Sequence, residues 1–134
     1  MHDYYFEYDA AHRIFATRVT GVFTDTIFET WYHTAAGRVG QLSPRGAILD
    51  LTACQRFDVS TAAVRKMAGL HPILPDPAPR FVVAPNDIAF GMARMFQMLG
   101  PEGRDMLFIV RAIDAAYEAL SLTAPAFERL PDHP

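Results

Sequence analysis

A chain of 134 residues, 51% apolar and 20% charged, has the length and composition of one globular domain with a core of its own. A net charge of −3 with scattered basic residues excludes the basic stripe that nucleic-acid binding requires. One cysteine, Cys54, excludes an internal disulfide framework, and no apolar run is long enough to span a bilayer.

The N-terminus carries no basic segment followed by an apolar one, so no signal peptide is read and a cytoplasmic location is expected. Tyr4-Tyr5-Phe6-Glu7-Tyr8 and Arg13 to Val19 are rich in β-formers and flank the turn residues Asp9 to His12, which predicts an antiparallel hairpin ended by Gly21. A first helix follows. Thr24 is its N-cap, Asp25 lies in the first turn, and Phe23 and Phe28 form a hydrophobic staple. Ile27, Phe28, Trp31 and Ala35 make its apolar face, and Gly37 is its expected stop.

Gly46 to Leu51 is a short apolar run behind a Ser-Pro-Arg-Gly turn, which reads as a strand covered on both faces. The stretch from Thr52 to Val59 reads as a loop. Ser60 then caps a helix whose apolar positions are Val64, Met67 and Ala68. Prolines at 72, 75, 77 and 79 make an extended connector. Arg80 to Ala84 is the next strand, and Pro85-Asn86-Asp87 opens a helix with an apolar stripe at Ile88, Met92, Met95, Phe96 and Leu99. Gly100 and Pro101 end it. Met106 to Val110 is the last strand, and Ile113, Ala116, Tyr117 and Leu120 mark the last helix. Residues 123–134 form a proline-containing tail on a single domain of residues 1–134. The order β-β-α-β-α-β-α-β-α predicts an α/β fold, a single mixed sheet with a hairpin, parallel βα units and about four helices.

This order, with Gly46-Ala-Ile-Leu-Asp-Leu, the following loop and helix, the strand Phe81–Ala84 and the segment Pro85–Phe96, resembles the STAS domain. That is the fold of anti-sigma-factor antagonists and of the cytoplasmic module of sulfate transporters, and free-standing bacterial STAS-like proteins are the nearer likeness. The antagonists carry Asp-Ser-Ser-Gly at this helix start. Asp58-Val59-Ser60-Thr61 stands there, matching at Asp58 and at Ser60, the position of the phosphorylated serine, and departing at Val59 and Thr61. The resemblance implies a regulatory, protein-binding module switched at a helix N-terminus.

Parallel sheets gather ligands and partners where strand C-termini meet helix N-termini, so Asp50, Cys54, Asp58, Ser60 and Thr61 form the expected binding or switch loop. Ser60 has two readings, a helix cap and a phosphoryl acceptor beside Asp58. Asp50, in an apolar strand, is expected to bond loop amides, and Cys54 to be a half-buried thiol. Asp50 and Asp58 as an acid/base pair is a third, lesser reading. The histidines at 2, 12, 33, 71 and 133 lack metal-ligand spacing, and no phosphate-cradling glycine motif occurs, so neither metal nor cofactor is expected. No nucleophile, base and oxyanion donor can be assembled, so an enzyme is not the expectation.

Phe90, Met92, Arg94 and Met98 are expected to line an interface, with a homodimer through this helix, or a pocket. Two functions compete. One is the protein-binding module; the other is a carrier or sensor of a small apolar molecule held between sheet and Met-rich helix. A cavity lined by Met92, Met95 and Phe81 favours the carrier. No cavity and an exposed Phe90/Met98 patch favour the module.

Overall fold

The computed structural model describes residues 3–75, 77–100 and 105–132, and the expected stop at Pro101 lies outside them. The aromatic run at the N-terminus is strand β1 (Tyr4–Asp9), which turns back into β2 (Ile14–Val19) and pairs with it antiparallel, Phe6 opposite Thr17. Asp9, fully buried, ties the turn: its carboxylate accepts from the His12 N–H at 3.0 Å and from the Ala126 N–H at 3.0 Å, and His12 Nδ1 lies 2.9 Å away. Burial pushes this carboxyl up, but the bonds from His12 and Ala126 outweigh it and hold the carboxyl below its ordinary value.

β3 (Val22–Thr24) leads into α1 (Asp25–Leu42), where Thr24 Oγ1 accepts from the Ile27 N–H at 3.3 Å. The helix does not stop at Gly37. It runs on through Gly40 to Leu42, and Ser43 ends it in the left-handed region at φ 48° with its N–H on the Val39 carbonyl. A Cβ at Gly37 or Gly40 would meet nothing within 4 Å, so both glycines face open space and cost only helix propensity. Arg38 and Val39, beyond Gly37, are buried and hold the last turns down.

The remaining elements are β4 (Gly46–Asp50), β5 (Arg56–Asp58), α2 (Thr61–Ala68), β6 (Arg80–Val83), α3 (Asp87–Leu99), β7 (Leu107–Val110), α4 (Ile113–Ala119) and β8 (Glu128–Arg129). The stretch expected as a loop therefore contains a strand, because β5 pairs parallel with β3 in a separate two-stranded sheet. The tail also contributes a strand: β8 pairs antiparallel with β1. The main sheet has six strands in the order β7-β6-β4-β2-β1-β8, parallel from β2 to β7 and antiparallel at β1 and β8, as a mixed α/β fold requires.

Each parallel connection steps one strand further in the same direction. Right-handed crossovers then place their helices on one face. Phe28 and Tyr32 of α1, Val64 and Met67 of α2, and Ala89 of α3 share one apolar cluster with Val19 and Leu51. α4 follows the edge strand and closes the opposite face, where Ala116 and Leu120 pack on Ile14, Ile48, Phe81 and Val83. Gly46 opens β4 where that face is tightest: an added Cβ would stand 3.1 Å from both Ile14 Cδ1 and the Pro79 carbonyl oxygen.

The periodicity of α3 is as expected, but its phase is rotated. Ala89 is its fully buried residue, while Ile88 and Leu99, expected on the buried stripe, are 67% and 48% exposed. Two anchors fix this rotation: Asn86 Oδ1 accepts from the Ala89 N–H at 2.9 Å, and the Phe96 ring packs 6.1 Å from that of Phe28. No helix among the described residues is long and apolar enough to cross a membrane.

Candidate functional site

The rotated α3 presents small residues to the sheet, and a cavity of about 130 Å³ lies beneath it. Ala89 and Ala93 of α3, Ala35 of α1 and Ala47 of β4 line it, and none has the bulk to close it. The aromatic side chains around them hold the walls apart. Phe23 lies 5.6 Å from Phe28 and 6.0 Å from Phe57, and Trp31 lies 6.1 Å from Phe28. Each ring is braced by a neighbour at normal contact distance, so collapse would break several packed pairs. Met92 and Phe96 complete the α3 wall, Phe15, Thr17, Leu49 and Val82 form the floor, and Pro72, Ile73 and Leu74 of the connector close one end.

Polar groups on this cavity are few. Thr17 Oγ1, 1% exposed, accepts from Trp31 Nε1–H at 3.0 Å. The Tyr32 hydroxyl donates to the His71 carbonyl and so fastens the connector to α1. Arg80, buried, opens β6 at the connector end. The lining is otherwise apolar.

The expected loop residues lie elsewhere and do not form one site. Asp50, at the end of β4, accepts from the Thr52 N–H at 2.9 Å and the Thr52 hydroxyl at 2.5 Å, and faces α4 rather than the cavity. There Arg18 joins it, with Nη1 2.9 Å from Asp50, Nε 2.6 Å from Glu7 and Nη2 2.9 Å from the Tyr117 hydroxyl, its guanidinium 4.9 Å from the Phe127 ring centroid. Burial would lower the pKa of Arg18, yet the bonds to Glu7, Tyr117 and Asp50 raise it, so the cation is held firmly. Asp58, on β5, is exposed and stands 3.8 Å from Arg56. Asp50 and Asp58 share no partner, and this geometry does not pair them as acid and base.

Cys54 is half-buried, within hydrogen-bonding reach of the Gly21 and Arg56 carbonyls, and burial pushes its thiol up. Ser60 caps α2: its Oγ accepts from the Ala63 N–H at 3.1 Å, and Thr61 begins the helix. The same hydroxyl donates to Asp25 Oδ2 at 2.7 Å, and the Ser60 N–H reaches Asp25 Oδ1 at 2.7 Å. These bonds, the hydroxyl first, hold the Asp25 carboxyl below its ordinary value. From sequence Asp25 is a first-turn acid of its own helix; the structure adds its bonds to Ser60.

The α3 group divides. Met92 faces the cavity. Phe90 is half-buried beneath the Arg111 guanidinium, 4.1 Å from its ring. Arg94 is exposed and bonds Gln97 at 3.0 Å, and Met98 is 75% exposed. Of the three residues whose lining was to favour the carrier, Met92 lines the cavity, Phe81 borders it from β6 while packing with Ala116 and Leu120 on the α4 face, and Met95 packs against the α1–α3 cluster without lining it. Trp31 and Thr17 are the residues sequence reasoning missed. Their signal was the aromatic density from Phe23 to Tyr32 with small residues at Ala89 and Ala93, one turn apart, facing it. Among the described residues no group of three or more His, Cys, Asp and Glu is arranged to hold a metal ion. No family model, no curated protein and no solved structure matches this chain.

Proposed function

We propose that the protein binds a small apolar molecule, about one ring in size, between its sheet and helices α1 and α3, as a carrier or sensor of it. The cavity carries this reading. Protein interiors are close-packed, so a space of about 130 Å³ with an almost wholly apolar lining is one that an apolar molecule of matching size would fill. An apolar cavity of about 150 Å³ is known to stay dry and to take up benzene, which sets the size of ligand that fits.

The protein-binding reading draws on Ser60 and on the exposed side chains of α3. Ser60 offers it less support than its position promised, because a phosphoryl group there would displace the bonds to Asp25 and set a dianion beside that carboxylate. The chain's single tryptophan, Trp31, lies on the cavity wall and supplies the test. Titration with toluene should change Trp31 fluorescence saturably. Ala93→Leu, which fills the space under α3, should abolish the change while leaving the protein folded. A linear, non-saturating response in the wild type, or one that Ala93→Leu leaves intact, would refute the reading.

A further inference from the structure

We infer that the ligand is an uncharged one-ring aromatic compound bearing a carbonyl-type acceptor, and that Thr17 is the residue that donates to it. This rests on the cavity being a ligand site. The indole N–H is a donor only, so at 3.0 Å the Thr17 oxygen must be the acceptor, and its own proton is left to bond something else. Among the described residues nothing takes that proton, although the side chain is 1% exposed. A buried hydroxyl with an unspent donor costs free energy, and here it stands on the cavity floor. The Tyr32 hydroxyl is committed to the His71 carbonyl.

One neutral donor sets the class. A carboxylate or other anion would need several donors to offset its desolvation, whereas a ketone, aldehyde or ester oxygen is satisfied by one. Arg80 does not change this. Thr17 is level with Leu49 and Val82 across the sheet, and Arg80 lies two strands over and two residues back along β6. Two strand spacings alone set the backbones of Thr17 and Arg80 about 10 Å apart, so the donor closest to an acceptor lying over β2 is the Thr17 hydroxyl. The aromatic side chains on the α1 face of the cavity, Phe23, Phe28 and Trp31 among them, favour a flat ring over a branched aliphatic.

Acetophenone and α-methylstyrene have the same shape and differ in carrying C=O or C=CH₂, so their relative affinity isolates the acceptor. Titrations followed at the Trp31 indole N–H resonance would compare wild type, Thr17→Val and Thr17→Ser. The affinity of acetophenone relative to α-methylstyrene should fall on the order of tenfold in Thr17→Val and be kept in Thr17→Ser, since a buried acceptor left unpaired costs that much. Thr17→Val also strips Trp31 of its acceptor and risks the fold. A second readout therefore uses wild type alone: bound acetophenone labelled with ¹³C at the carbonyl should resonate downfield of its position in cyclohexane. A relative affinity unchanged by Thr17→Val, or a bound carbonyl resonance at the cyclohexane position, overturns the assignment to Thr17. Binding of α-methylstyrene would in that case leave the cavity reading standing; failure of both probes to bind would remove both.

Discussion

Ser60 shows how one hydroxyl can do two structural jobs. It accepts from the Ala63 N–H as the cap of α2 and donates to Asp25 at the start of α1, so two helix N-termini are tied through one side chain. Ser60→Ala should lower stability by about 1 kcal/mol, the usual worth of a cap, in urea unfolding; no change would mean that neither bond matters. Asp9, like Asp25, contributes to stability against acid. Its folded-state carboxyl lies below the ordinary value, so its contribution is full above about pH 5 and is lost as pH falls through the folded pKa. Asp9→Asn should therefore be less stable than wild type at pH 7 but lose less on going to pH 3. Equal losses in the two proteins would contradict the bonds assigned to Asp9. The caps Thr24 and Ser60 were legible because a cap needs only its own local sequence. The bond from Ser60 to Asp25 was not, since 35 residues separate the partners. Thr17 was hidden for the same reason: a β-branched residue in a strand has ordinary propensity, and its spare proton becomes visible only with Trp31 seated on it.

Among the elements, the long strands and all four helices could be read from periodicity and turn residues. β3, β5 and β8 could not, because strands of two or three residues carry no period and exist only through partners far along the chain. Gly37 misled because a glycine ends a helix only where nothing beyond it is anchored. Buried Arg38 and Val39 carry α1 past it. Gly37→Ala should accordingly stabilise the protein by about 0.5–1 kcal/mol, since the site is helical and a Cβ there meets nothing within 4 Å. A lowered melting temperature would mean that the chain turns at Gly37 after all. In α3 the sequence pattern gave the right period and the wrong phase. A helix with apolar residues on more than half its circumference offers two burial directions, and contacts with Asn86 and Phe28 chose the one that leaves Ile88, Met98 and Leu99 outside.

At the scale of the molecule, topology explains the cavity. Three helices share one face of the sheet and one helix covers the other, so the crowded face must fit α1, α2 and α3 side by side. α2 and α3 pack together, and the connector with Pro72, Ile73 and Leu74 closes the space that α1 and α3 leave over β4 and β6. No sequence window contains that space. It depends on where small residues from α1, β4 and α3 meet, which is why the Met-rich helix pointed to a pocket without defining its walls. The most direct test of the central claim is thermal unfolding of the wild type with and without a saturable one-ring ligand such as toluene. A compound at ten times its dissociation constant should stabilise by about 1.4 kcal/mol and raise the melting temperature by about 5 °C, and Ala93→Leu should show no such rise. An unchanged melting temperature in the wild type, or an equal rise in Ala93→Leu, would mean that nothing enters the space between the sheet, α1 and α3.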